Sequence, residues 1–430
     1  MNQPTGSSPQ GNGASNAPAR YAAFRVPAFR RYLSGALLMQ IGSAAQSVAV
    51  GWELYDRTGQ ALSLGLQGLV QAVPMLLFTL PAGYLADAFD RRKLIVAGLL
   101  GITATSLCLF ALSETRGSVA LIYAVLFLDS TAQRIAWPAR TALLPLLVPT
   151  ELFESAIKWR TALTHASAML GPALGGFLVA WRPSVAYAFS AAGSSMFALM
   201  LLTMRIPHAT RIQSGRVLAQ IGEGLRFVAE NKLLLSSISL DLFAVLLGGA
   251  DYLLPIYARD ILNLKAVGLD PQQALGWLRA APAAGAACVS LALAHLPPMR
   301  RAGASMLWAV AGFGVATLVF GLSRNFWLSL VMLAVSGGLD NVSIVVRQTL
   351  VQLAAPNEMR GRVSAVNALF IGSSNQLGGF ESGLVAHFFG PVASVVSGGI
   401  GTLCIVAAWT GFFPSLRRFG TFSEAARQTP

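Results

Sequence analysis

Residues 83–112 read GYLADAFDRRKLIVAGLLGITATSLCLFAL, and they combine a polar loop with a long apolar run. The last 19 residues, 94–112, hold no charged side chain. A helix of about 20 apolar residues can cross the roughly 30 Å hydrocarbon core of a bilayer. The stretch therefore predicts a transmembrane helix that begins directly after three basic residues, 91–93.

Apolar runs of similar length recur along the whole chain. Apolar residues make up 54% of the sequence and charged residues 11%, whereas roughly a quarter of a soluble protein is charged. Most runs lack the polar face that a soluble helix needs. We therefore predict an all-α membrane protein with twelve transmembrane helices. The predicted spans are residues 33–54, 62–86, 94–112, 119–147, 156–181, 183–204, 233–257, 271–297, 302–322, 326–354, 363–389 and 392–413.

The lysines and arginines predict the orientation of these spans. With a cytoplasmic N-terminus, 21 of the 31 basic residues fall on the cytoplasmic side, and three (Arg134, Arg140 and Arg347) fall within spans. The outer side receives only seven: Arg57, Arg116, Arg182, Arg259, Lys265, Arg279 and Arg324. This bias follows the positive-inside rule. It predicts an inner-membrane protein with both termini in the cytoplasm, and it accounts for the net charge of +13 without a nucleic-acid partner.

The longest polar stretch divides the spans into two groups of six. We predict a disordered cytoplasmic tail (1–30), a six-helix bundle (31–204), a cytoplasmic linker (205–232), a second bundle (233–413) and a second tail (414–430). Within the linker, apolar residues at helical spacing predict an amphipathic helix on the membrane surface. They are Val217, Leu218, Ile221, Leu225 and Val228.

The two groups of six also resemble each other in sequence. Arg140, Leu143, Pro149 and Glu151 correspond to Arg347, Leu350, Pro356 and Glu358, each 207 residues later. Residues 171–180 resemble residues 378–386, whose first residues are also 207 apart, and residues 68–74 match 276–282 at an offset of 208. Parallel repeats of this kind predict a transporter whose substrate site lies between the halves near mid-membrane.

The loop at residues 83–93 resembles the signature motif of the major facilitator superfamily. That motif joins the second and third helices through glycine, aspartate and a basic cluster, found here as Gly83, Asp87, Arg91, Arg92 and Lys93. A carboxylate at a helix end can accept hydrogen bonds from the N-terminus of a neighbouring helix. The alternative is a loop that serves only as a positive-inside anchor. One departure is Asp90, where the family more often has glycine.

The resemblance implies a role for this loop. Asp87 would latch the two halves together on the cytoplasmic side, with the start of the eleventh span, at Arg362 and Val363, as its partner. Arg140 and Arg347 lie at matching cytoplasmic ends of the fourth and tenth spans. We expect both to belong to this gate rather than to the substrate pocket.

Further motifs resemble particular branches of the superfamily. Gly171, Pro172, Gly175 and Gly176 in the fifth span resemble a motif of the family's exporters. Small residues at this spacing also serve close helix packing in any membrane bundle. The fourth span lacks the Arg-Gln-Gly sequence of many drug/proton antiporters, which leaves proton coupling open. Residues 223–228, 241–250, 254–257, 360–367 and 379–386 resemble the siderophore-exporter, or transmembrane secretion effector, branch.

Three aspartates are predicted to lie inside the membrane: Asp129, Asp241 and Asp340. Intramembrane charges are costly, face the bundle interior and often act in transport. Because an apolar cavity favours the neutral form of a carboxylate, one or more of these groups could carry a proton. The alternative is a structural ion pair with Arg134, Arg140 or Arg347.

The sequence predicts no enzyme. It contains no GxxxxGK[ST] phosphate loop and no clustered catalytic set, and its three cysteines lie in separate spans, so we expect no cofactor and no metal. The leading hypothesis is a proton-coupled exporter of a small molecule, either a siderophore or an amphipathic drug. Import of a metabolite is a second hypothesis, and a membrane enzyme or sensor a third. A monomer is what the family resemblance implies.

Overall fold

The computed structural model describes residues 22–204, 217–297, 299–356 and 359–420, without the side chains of Leu80, Asp87 and residues 217–221. Parts of the predicted tails and linker, and the repeat position Glu358, lie outside these ranges. The described chain forms fifteen α-helices and short 3₁₀ and π segments. They are α1 (Pro27–Thr58), α2 (Ala61–Ala88), α3 (Arg91–Glu114), α4 (Val119–Leu147), α5 (Phe153–Trp181), α6 (Pro183–Thr203), α7 (Val217–Glu230), α8 (Lys232–Leu247), α9 (Leu254–Ile256), α10 (Pro271–His295), α11 (Ala302–Leu322), α12 (Phe326–Ala354), α13 (Arg360–Phe389), α14 (Pro391–Phe412) and α15 (Pro414–Arg418).

Polar residues at the loops begin several of these helices. Asp90 accepts a hydrogen bond from the backbone N–H of Lys93 at 3.1 Å and so caps α3. Ser118 caps α4 and Asn325 caps α12 in the same way. Each cap satisfies an N–H that has no partner inside the helix. The aspartate that departs from the family motif is therefore the N-cap of the third transmembrane helix.

Eleven segments of the described chain are long and apolar enough to cross a membrane. The one long helix of the described chain outside this set is α13, which has 30 residues but carries charged and amide side chains along its length. It nevertheless packs against α2, α8 and α14 within the bundle. It therefore occupies the place of the predicted eleventh span, with its polar residues among other helices.

The helices pack as two pseudo-symmetric bundles. In the first, α1 packs against α5 and α6, and α4 packs against α2 and α3. In the second, α8 packs against α13 and α14, and α12 packs against α10 and α11. These pairs correspond one to one under the sequence repeat. The halves meet mainly through α2 with α13 and α5 with α10, which exchange under the same pseudo-symmetry.

The predicted seventh span differs from the prediction. We expected one continuous helix over residues 233–257, but α8 ends at Leu247 and the chain passes through Gly248 and Gly249 into a 3₁₀ turn, Ala250–Leu253. A π-helical turn, Tyr257–Ile261, follows α9. Glycine exposes its backbone and lowers helix propensity, and Gly249 lies against the backbone of Gly378 on α13. The broken helix thus lets α13 approach closely at this depth.

The buried apolar residues show where the halves are joined. We call the bundle end at which α1 starts the near end, and the end at which α1 finishes the far end. One core cluster joins both halves at the far end and includes Leu54, Leu253 and Leu275. The other two lie at the near end, one within each half, around Leu143 and Leu350. The bundle is therefore sealed between its halves at the far end.

Candidate functional site

Glycines make the contacts that bring the halves together at the far end. A Cβ atom on Gly176 of α5 would lie 2.5 Å from the Cα atom of Gly276 on α10. A Cβ on Gly383 of α13 would lie 2.4 Å from the Cα of Gly65 on α2. Backbones at such separations leave no room for any side chain. Both symmetry-related contacts between the halves therefore depend on glycine.

The predicted exporter motif has two packing roles in this arrangement. Gly171 and Gly175 face α1, where added Cβ atoms would meet Ala44 at 2.6 Å and Ala45 at 2.8 Å. Gly176, the next residue, faces α10 of the other half. Pro172 lies inside α5, and its carbonyl group also approaches Gly276. The motif therefore packs α5 against its own half on one face and against the opposite half on another.

Polar contacts join the halves at the same end. The guanidinium group of Arg259 donates to Asp56 at 3.1 Å, and the Tyr55 hydroxyl donates to the Asp260 carboxylate. Deeper in the bundle, the Tyr252 hydroxyl beside the break of the seventh span donates to Gln71 of α2 at 3.4 Å and, within its own half, to Gln376 of α13. The bonds that join the two halves would have to break for the far end to open.

A cavity of about 570 Å³ lies in the near half of the first bundle, between α1, α4 and α5. Its walls include Arg134, Arg140, Arg160 and His165. None of the described residues that line it is acidic. Trp137, which is 60% exposed, adds a large aromatic surface. The cavity therefore combines positive charge with an apolar wall.

The two repeat-related arginines occupy different environments. Arg347 is buried, with 1% of its side chain exposed, and forms an ion pair with Asp241 of α8. Arg140 lines the cavity, donates to the sulfur of Met39 at 2.8 Å, and lies 5.8 Å from the centre of the Trp137 ring. Arg140, which the sequence analysis assigned to the gate, thus lines a cavity in the structure. Asp241 thus forms the ion pair with an arginine that the sequence analysis gave as the alternative to proton transfer.

Asp129 lies inside the first bundle rather than on the cavity wall. Its carboxylate accepts hydrogen bonds from Thr105 at 2.8 Å and from Gln133 at 2.7 Å. Next to it, Ser106 donates to Gln46 at 2.7 Å. Asp129 is buried and has no basic partner among the described residues. Its contacts join α3, α4 and α1 and fit a structural role.

Asp340 lies in a different setting, in a second and smaller cavity of about 120 Å³. This cavity lies at the break of the seventh span and is also lined by Asp251 and Asn375. Asp340 makes no hydrogen bond or ion pair with another described residue, and it is close enough to Asp241 and Arg347 to interact with both electrostatically. Of the three predicted carboxylates, it is the one that is both unpaired and open to a cavity.

The predicted position of Arg279 is wrong. It was assigned to the outer side, but it lies inside α10, where its Nη1 atom is 3.3 Å from the Ser47 hydroxyl on α1. It also lies against Gly51 and near Asp251. Its position eight residues into the helix, roughly 12 Å from the helix start, was the signal that it belongs within the bundle.

The predicted latch lies at the near end. The side chain of Asp87 is outside the described part of the structure, and a Cβ on Gly83 would meet no described atom within 4 Å. Arg91 and Arg92 each donate to a backbone carbonyl, those of Ala142 and Leu202. The backbone N–H of Lys93 donates to the α3 cap. The basic cluster is thus anchored within the first half.

The expected partner of the latch is engaged elsewhere. Arg362, at the start of α13, forms an ion pair with Glu223 of the linker helix α7. A Cβ on Gly224 would lie 3.0 Å from the Arg362 carbonyl oxygen, so α7 lies directly against α13. Farther along α7, a hydrogen bond from Arg226 to Glu230 raises the pKa of Arg226. The linker helix is therefore attached to the second half.

A family model for transmembrane secretion effectors matches residues 18–427. The chain belongs to the transmembrane secretion effector family. Among curated relatives, the enterobactin exporter EntS of Shigella boydii serotype 18 (strain CDC 3083-94 / BS512) is 27% identical over 411 residues, covering 94% of each chain. The enterobactin exporter EntS of Escherichia coli O1:K1 / APEC has the same identity and coverage.

Solved structures share the fold of this secretion effector. A bacterial homologue of the human lysosomal transporter Spinster, inward-facing and unoccupied, gives a TM-score of 0.64 at 14% identity, over 93% of this chain and 97% of that one. A D-xylose–proton symporter gives 0.65 at 14% identity, over 90% and 98%. A peptide transporter in complex with sulfate gives 0.68 at 13% identity, over 92% and 96%. The chain thus has the major facilitator fold.

Family, fold and transmembrane helices together identify a multi-pass inner-membrane transporter rather than an enzyme. Sequence reasoning missed several residues of the region between its halves: Asp56, Tyr252, Arg259, Arg279 and Gln376. Tyr252 and Gln376 carry no formal charge, so the search for intramembrane charges passed over them. The other three are charged, but the predicted topology placed them at the outer surface or left them unexamined.

Proposed function

We propose that this secretion effector is a proton-coupled exporter of a small molecule that works by alternating access. The observation that carries the proposal is its similarity to enterobactin exporters over 94% of both chains. Family membership identifies a transporter; the direction of transport, the coupling ion and the substrate class are what this proposal adds.

The arrangement of the two ends supports alternating access. The bundle is sealed at the far end by glycine contacts, and its larger cavity lies in the near half. Under the positive-inside bias, the near end faces the cytoplasm. The conformation would then be the one that loads substrate from the cytoplasm, before the seal moves to the near end.

Asp340 is the carboxylate that we assign to proton transfer. It lines a cavity and has no hydrogen-bonded or ionic partner among the described residues. Asp241 is held by Arg347, and Asp129 by Thr105 and Gln133. A carboxylate in a small buried cavity is suited to reversible protonation, because burial penalises its charged form.

Proteoliposomes loaded with a pH-sensitive dye would test this proposal. We expect substrate-triggered proton movement when a panel of siderophores and amphipathic drugs is offered, and none in protein-free liposomes. Reversing the pH gradient should reverse the net substrate flux, as antiport requires. Cotransport of substrate and proton in the same direction would point instead to import by symport. No flux with any compound, from protein of confirmed fold, would overturn proton coupling for that panel.

A further inference from the structure

The near-half cavity carries an unbalanced positive charge. Arg134, Arg140 and Arg160 line it, and none of them forms an ion pair with a described residue. Arg134 and Arg140 lie close enough to repel each other electrostatically. Like charges that share a cavity are costly unless a counter-ion balances them. The described walls supply no carboxylate for this purpose.

The repeat provides an internal comparison. Arg347 in the second half and Arg140 in the first half are related by the sequence repeat. Arg347 has its counter-charge in Asp241, whereas Arg140 has the neutral sulfur of Met39 as its side-chain partner. The Nε atoms of both arginines are buried and make no hydrogen bond, so the difference between them is the missing counter-charge of Arg140. A buried, charged donor without a partner is unfavourable, so Arg140 is a site where a negatively charged group would be stabilised.

The apolar part of the wall limits what kind of anion fits. Trp137 presents 60% of its surface next to Arg140, and Tyr32 and Phe197 also line the space. Aromatic walls favour a flat apolar or aromatic body. Several residues with hydroxyl groups, among them Thr161 and Thr164, also line the space. The volume of about 570 Å³ is within the range of small-molecule sites.

We infer that this cavity binds an amphipathic organic anion, with its negative group on Arg134, Arg140 and Arg160 and its apolar body against Trp137. This inference rests on the proposed function, because it takes the cavity as part of the transport pathway. It deepens that function by excluding cationic amphiphiles as preferred substrates. Arg140 is the central contact, because it alone combines an unpartnered buried Nε atom with contact to the aromatic wall.

Equilibrium binding to the full chain in lipid nanodiscs tests the inference without requiring transport. The probes are three compounds with the same ring system: naphthalene-2-sulfonate, neutral 2-naphthalenemethanol and cationic (2-naphthylmethyl)trimethylammonium. In zwitterionic lipid, we expect the sulfonate to bind most tightly and to weaken as salt is raised. Equal or tighter binding of the neutral or cationic probe would overturn the inference.

Substitutions locate the site. Arg140→Gln should weaken sulfonate binding about tenfold or more, since it removes a charge-assisted hydrogen bond, and should leave the neutral probe unaffected. Arg140→Lys should restore part of the affinity. Arg226→Gln, on the exposed face of α7, is the matched control and should bind like the unmodified protein. Unchanged sulfonate affinity in Arg140→Gln would overturn the assignment.

A lipid headgroup offers the same chemistry as a free organic anion. Repeating the titration in nanodiscs with phosphatidylglycerol distinguishes a site for a small organic anion from a site for an anionic lipid headgroup. Sulfonate binding that persists in these discs supports a small-molecule site. Binding that disappears there would show occupation by anionic lipid and overturn the small-molecule assignment. Because no proton movement is measured, these outcomes stay distinct from a failure of proton coupling.

Discussion

Arg347 and Asp241 form a buried ion pair between α12 and α8, whereas Arg140, the repeat counterpart of Arg347, faces a cavity without an acidic partner. The same residue type at matching positions thus serves two purposes. In the second half it joins two helices within the bundle. In the first half it lies on the wall of a cavity. This asymmetry between the repeats leads to the first prediction.

Asp241→Asn should destabilise the protein strongly, because it leaves the buried Arg347 without its ion-pair partner. Losing one partner of a buried pair costs about 3–5 kcal/mol. The double variant Asp241→Asn/Arg347→Gln should recover part of that loss, since it removes both charges. Thermal unfolding of the purified protein in detergent would measure both effects. Equal stability of the single and double variants would contradict a structural ion pair.

Asp340→Asn should abolish substrate-triggered proton flux, because an amide imitates the protonated carboxylate and cannot release a proton. Asp129→Asn should retain the flux, since Asp129 is held in a hydrogen-bonded cluster and lines neither cavity itself. Dye-reported proton movement in proteoliposomes compares the two variants under the same conditions. If Asp340→Asn keeps a normal flux and Asp129→Asn loses it, the proton site lies in the first half.

Gly176→Ala should hinder closure of the far end, because the new methyl group would lie 2.5 Å from the Cα of Gly276. Overpacking typically costs about 1–3 kcal/mol, which would shift the conformational equilibrium about fivefold to more than a hundredfold. A single cysteine at Thr164, which lines the near-half cavity, in a background without Cys108, Cys288 and Cys404, should then react more slowly with a maleimide supplied from the cytoplasmic side.

The control for this prediction is Gly411→Ala, where an added Cβ meets no described atom within 4 Å. It should leave the reactivity of the cysteine unchanged. Equal reactivity in all three backgrounds would mean that the Gly176–Gly276 contact does not hold the far end closed.

The positions of the transmembrane helices followed from the sequence because length and apolarity set them locally. The α13 helix illustrates the limit, since its polar residues lower its hydropathy while packing against α2 and α8 keeps it inside the bundle. The break after Leu247 was missed for a related reason. Two glycines in an apolar run are compatible with a continuous helix. The reason for a glycine at position 249 is visible only in the structure, where Gly378 approaches it closely.

The site was harder to predict than the fold. Spacing placed Asp241 and Asp340 in the membrane, but the choice between a paired and an unpaired carboxylate depends on which helices face each other. Arg347 reaches Asp241 across 106 residues of sequence. The far-end contacts of Arg259 and Asp56 likewise join residues of different halves. Pairings of this kind are set by tertiary packing and leave no local pattern in the sequence.

The linker helix α7 and the proposed latch share the residue Arg362. Arg362 is held by Glu223 while the halves are sealed at the far end, and by family resemblance it is a possible partner of Asp87 when the near end closes. Glu223→Gln would release Arg362 and should favour closure of the near end. Exposed ion pairs contribute about 0.2–1 kcal/mol, so the expected shift is up to about fivefold. Maleimide labelling of the same Thr164→Cys reporter would measure it.

The latch itself requires a double-variant comparison. Asp87→Asn alone should slow transport while leaving membrane insertion intact, because it removes the proposed anionic partner. If the released Arg362 acts through Asp87, Glu223→Gln should change reporter labelling in the parent protein but not in the Asp87→Asn background. An equal effect in both backgrounds would show that Arg362 does not act through Asp87. The linker helix would then influence the near end through α13 alone, against which it packs at Gly224.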